Sequence, residues 1–185
     1  MRVASNPAGL EGSPGVRLPL VAGEGVISLD DSAWPLVVGI CPASMSDASV
    51  APLSAFFERV HARKERFCTI IDSRPLETMP SAKWRQDVTA WASDPIIEAQ
   101  TKRYNVATAV VISSAIARGV FVALGWLRKP ASPVNAFGSI GEAAAWCVEH
   151  LSQAKVPLSP KARALCDSLL HEGVTGRGPT SPLAR

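Results

Sequence analysis

Between residues 26 and 151, short continuous apolar runs alternate with stretches in which apolar residues recur every three or four positions. The runs predict strands, and the wider spacing predicts amphipathic helices. Val26-Ile27-Ser28-Leu29 opens the series, and Asp30-Asp31-Ser32 follows as a turn whose side chains bond their own backbone. Leu36-Val37-Val38-Gly39-Ile40-Cys41 reads as a strand buried on both faces. The two strands are placed to form a hairpin. A helix capped by Ser46 or Asp47 then runs to about Arg63, with Val50, Leu53, Phe56, Phe57 and Val60 on one face.

The alternation continues. Residues 67–72 form the third strand, and 73–79 a loop interrupted by Pro75. A helix runs from about Ser81 through Trp91, and 96–103 continue as a second helical piece after Pro95. Residues 107–112 are the fourth strand. Ser113 or Ser114 caps a strongly apolar helix through Trp126-Leu127, ended by Pro130. Residues 134–137 are the fifth strand. Ser139-Ile140-Gly141-Glu142 has the form of a capping box opening a helix to about Leu151. Strands alternating with helices imply crossovers, and hence an α/β fold on a mostly parallel sheet of about five strands with an N-terminal hairpin.

The ends differ from this core. Residues 1–24 are rich in Gly and Pro, bury too little apolar surface to offset ordering, and are expected to be a flexible leader. The α/β domain spans 25–153. Ser159-Pro160 begins a C-terminal helix across 154–172, whose stripe of Ala162, Leu165, Cys166 and Leu169 is expected to dock on the domain. Residues 173–185 are expected to be a disordered tail.

Charge sharpens the picture. Residues 25–153 carry 12 Lys/Arg and 12 Asp/Glu, so the +3 net charge comes from the C-terminal end. A neutral core without a basic stripe argues against a nucleic-acid partner. No apolar run approaches the roughly 20 residues of a membrane span. The N-terminus is a poor secretory signal, so a cytoplasmic protein is expected. Cys41, Cys68, Cys147 and Cys166 are isolated and read as buried thiols rather than metal ligands. No phosphate-cradling glycine motif or metal-binding spacing is present, and no cofactor is implied.

Function in open α/β sheets sits beyond the carboxyl ends of the strands. That edge would gather 42–47, 72–81, Ser113-Ser114 and Gly138-Ser139. The recurring serines suit an anion site or regulatory phosphorylation, and suit plain helix capping equally. Asp47, Asp72, Ser73, Arg74, Ser81, Lys83 and Arg85 make up the candidate partner-binding surface. An acid–base reading pairs Asp72 with Arg85 or uses Asp87 as a base; the alternative is a solvated loop. Trp84 and Trp91, seven apart, share a helix face, as an interaction patch or as core.

Three segments carry a resemblance. They are 110–127, containing Val110-Val111-Ile112-Ser113-Ser114 and Trp126-Leu127; 134–146, containing Phe137-Gly138-Ser139 and Trp146; and 68–72 before a Pro-Ser helix start. Together they resemble the bacterial STAS-like (SpoIIAA-like) family over roughly 26–151. The resemblance implies a sheet with helices largely on one side, and a regulatory protein-binding module rather than an enzyme. Anti-sigma-factor antagonists of that family carry a phosphorylatable Ser in an Asp-Ser-Ser-Gly-like turn at the start of a helix. The nearest position here is Ser81 in Met79-Pro80-Ser81-Ala82, where the aspartate, second serine and glycine are missing. A small apolar or lipid ligand, or an enzyme active site in the strand-end crevice, is the alternative.

Overall fold

The computed structural model describes residues 25–114 and 130–175. The expected leader, the apolar helix after Ser114 and most of the expected C-terminal tail lie outside the described residues.

Five strands form one sheet in sequential order. β1 (Ser28–Asp30) pairs antiparallel with β2 (Leu36–Ile40), the expected hairpin. β2, β3 (Phe67–Asp72), β4 (Asn105–Val111) and β5 (Val134–Phe137) run parallel. After β2, a short tight turn of helix at Asp47–Ser49 leads into α1 (Val50–Ala62). The Ser46 side chain caps that turn by accepting from the Ala48 N–H. α2 (Ala82–Ala92) and α3 (Pro95–Tyr104) link β3 to β4, and Asp94 caps α3 with Pro95 in its first turn. α4 (Ile140–Gln153) follows β5, with the Ser139 hydroxyl accepting from the Glu142 N–H. α5 (Pro160–Thr175) runs beyond the boundary expected at 172.

Helices cover both faces of the sheet. The period of two along each strand sends Leu36, Val38, Cys68, Ile70, Ala107, Ala109 and Val111 to one side. There they meet Ala143, Ala144, Cys147 and Leu151 of α4, backed by Leu165, Cys166 and Leu169 of α5. Small residues on both partners, Ala107 and Ala109 against Ala143 and Ala144, let α4 approach the strands closely. On the opposite side Val37 and Phe67 pack against Phe56 and Val60 of α1. Nearer the carboxyl ends, Ile27, Cys41 and Leu53 form a third cluster with Ile71, Trp84 and Val88 against it. Gly39 faces this side: a Cβ there would stand 2.7 Å from Ile71 Cδ1 and 3.0 Å from Leu29 Cδ2.

Candidate functional site: a cavity between the sheet and α1–α3

In α1, Leu53, Phe57 and His61 follow one another at steps of four and so share a face. His61 is 3% exposed. Its ring lies between Phe57, with centroids 6.4 Å apart, and Phe67, at 5.8 Å. In α2, Trp84, Val88 and Trp91 also share a face, yet no residue of α2 is fully buried. The reason is the space beneath them. These two helix faces, with α3, the sheet and residues 130–134, line a partly open cavity of about 670 Å³.

Its two halves differ in chemistry. Toward the carboxyl ends of the strands it is lined by Ile27, Leu53, Ile71, Trp84 and Val88. The Trp84 indole N–H is spent on the Ser49 hydroxyl at 2.8 Å. Toward the strand starts the lining includes His61, Thr69, Trp91, Asn105 and Thr108. Thr69 and Thr108 are paired across β3 and β4. Asn105 joins them through an irregularity. Phe67 pairs with Asn105 but Cys68 with Ala107, so Val106 is an extra residue in β4. Regular alternation would turn Asn105 with Ala107 toward α4; the bulge re-aims it. Its Nδ2 donates to Thr108 Oγ1 at 2.7 Å.

Four side-chain atoms shielded from solvent find no hydrogen-bond partner among the described residues: His61 Nδ1, Thr69 Oγ1, Trp91 Nε1 and Asn105 Oδ1. All four belong to residues lining this one cavity. A buried polar group left unpaired costs about 1–3 kcal/mol. Four such groups together rival the roughly 5–15 kcal/mol that holds a domain folded. Burial also lowers the His61 pKa from its ordinary 6.5, leaving a neutral imidazole at pH 7. The described lining holds no Lys or Arg, and its single acidic residue, Glu98, is exposed.

The sequence-predicted residues lie elsewhere, on the carboxyl edge. The 42–47 and 73–85 segments do meet there: the Glu77 N–H donates to the Ala43 carbonyl at 2.8 Å, and the Ser81 hydroxyl to Asp47 Oδ1 at 2.5 Å. Ser81 also accepts from the Trp84 N–H as the cap of α2. The expected pairing of Asp72 with Arg85 is not formed. Asp72 holds Arg74 instead through Nε at 2.9 Å and Nη2 at 2.7 Å, because the turn after β3 folds residue 74 back on it. Arg85 donates to the Pro80 carbonyl, and Lys83 holds the candidate base Asp87 one helical turn away. The Ser73 hydroxyl donates to the Val111 carbonyl at 2.6 Å. Asp72 and Asp87 thus each pair with a cation close in sequence.

All four cysteines are buried and none is in a disulfide. Burial and the nearby Asp72 raise the Cys41 thiol to about 11. A hydrogen bond with Cys68, then burial, raises that of Cys147. Among the described residues no group of three His, Cys, Asp or Glu is placed to hold a metal, and no helix is long and apolar enough to cross a membrane.

The polar residues that the strands and α1 send into the cavity carried weak sequence signals. Thr69 and Thr108 interrupt strands that are otherwise apolar, and His61 extends the Leu53–Phe57 stripe. Nothing in the spacing announced the bulge that turns Asn105. The chain matches no protein-family model, no curated protein and no solved structure.

Proposed function

We propose that this chain is a binding protein for a small, largely apolar molecule held between the sheet and α1–α3. The convergence of four unpartnered polar atoms in one cavity supports this reading. A cavity of this size falls in the range of ligand sites, which are mostly apolar with a few placed polar groups. Water is the competing occupant, since a polar and roomy cavity can hold it. Titration with the uncharged dye N-phenyl-1-naphthylamine separates the two. The dye is expected to bind saturably and to quench Trp84 and Trp91, and a Val88→Phe variant, which fills the space, to weaken it about tenfold. A linear, non-saturating response would end the proposal.

A second reading, a regulatory protein-binding module of STAS-like type, rests on the carboxyl edge. Its favouring observation is Met79, a large hydrophobic residue 79% exposed in the loop before α2. Phosphorylation of Ser81 would set a phosphate against the Asp47 carboxylate and break the tie between the two loops. A partner that binds a variant carrying charge reversals at Arg74, Lys83 and Arg85 as well as the parent would exclude this surface.

A further inference from the structure

The four unpartnered atoms restrict what a ligand's head must offer, given that the cavity is a binding site. Asn105 donates one amide hydrogen to Thr108, and its unpartnered atom is Oδ1, which only accepts. Trp91 Nε1 only donates. The Thr69 hydroxyl does both, and the unpartnered Nδ1 of a neutral His61 donates or accepts according to the tautomer. The set therefore asks for a ligand donor and a ligand acceptor close together. A carboxylate supplies acceptors alone, and an ammonium donors alone. Each would leave part of the set unmet.

Charge points the same way. A carboxylate or ammonium in this half would be desolvated without a counter-charge, since the described lining holds no Lys or Arg and its one acid, Glu98, is exposed. A hydroxyl or primary amide has both hydrogen-bond functions and no charge. We infer that the cavity takes an uncharged molecule with an apolar body and a hydroxyl or amide head. The head lies toward the starts of β3 and β4, at Thr69 and Asn105, and the body toward Ile27, Leu53 and Val88.

Calorimetric titration of the full chain at pH 8 with octanol, octanamide, octanoate and octylamine tests this. Octanol and octanamide are expected to bind at least about tenfold tighter than the two ions, a gap of about 1.4 kcal/mol. Asn105→Leu should narrow the gap about fivefold, and the nearly isosteric Thr69→Val should narrow it too if the first variant does not fold. If none of the four binds, the binding proposal itself fails. If all four bind within threefold of one another, the proposal stands and the head-group inference falls. Tightest binding by octanoate would overturn the inference by showing that the polar half presents donors.

Discussion

The two faces of the sheet are built from the same strands and arrive at different interiors. Against α4, β4 presents Ala107, Ala109 and Val111, all fully buried, and the helix answers with small side chains that close the gap. On the other face the same strand presents Thr108 and Val110, both half-buried, with larger aromatic residues on α1 and α2. Small residues facing small residues leave nothing to fill. Large rings held off the sheet by one another leave a space. Phe57 stands between His61, at 6.4 Å, and Trp91, at 6.0 Å between centroids, and this row of rings roofs the cavity. Close packing and vacancy in one domain are thus set by side-chain size at facing positions rather than by hydrophobicity.

Truncating one leucine on each face gives the largest contrast. Leu151→Ala, on the closed face, should cost about 2–5 kcal/mol, because its neighbours cannot collapse into the hole. Leu53→Ala, beside existing space, should fall at or below the low end of that range. Urea denaturation of both variants measures this, and equal losses would break the comparison. A smaller effect of opposite sign is expected for Thr69→Val. Removing an unpartnered buried hydroxyl at nearly constant volume should stabilise the ligand-free protein by about 1 kcal/mol. A loss of stability would mean that the hydroxyl is satisfied.

The pH dependence sharpens the same contrast. The folded protein holds His61 below its ordinary 6.5, so below that value the unfolded chain takes up a proton that the folded chain refuses. Stability should be fully present above pH 6.5 and decline as pH falls through the folded value. Denaturation midpoints measured between pH 7.5 and 5, compared with His61→Phe, isolate this contribution: the variant should lose that part of the slope. Least affected of all should be Lys83→Ala. Its ion pair with Asp87 is on the surface, and exposed pairs of this kind contribute little. The same denaturation assay should show no resolvable shift.

Most of the architecture was legible because it follows from repeating patterns. Continuous apolar runs marked β2, β3 and β4, and serines marked the starts of α2 and α4, since both depend on local sequence. The cavity depends on how separate elements meet. Trp84 and Trp91 were visible as one helix face, but whether that face touches the sheet depends on Phe57 and His61 of another helix. Asn105 was less legible still, because a one-residue bulge reverses the side that alternation assigns to it. The carboxyl edge drew attention through its charges, which the structure pairs locally: Asp72 with Arg74, Asp87 with Lys83.

The buried cysteines divide along the same boundary. Cys68, Cys147 and Cys166 sit within the close-packed face, while Cys41 belongs to the apolar cluster bordering the cavity. A shielded thiol reacts with an alkylating reagent only when its surroundings open, and its rate of labelling then counts those openings. The chain therefore carries two native clocks, one for each side of the sheet. The Cys41 clock is expected to run faster, and to slow when the cavity is occupied.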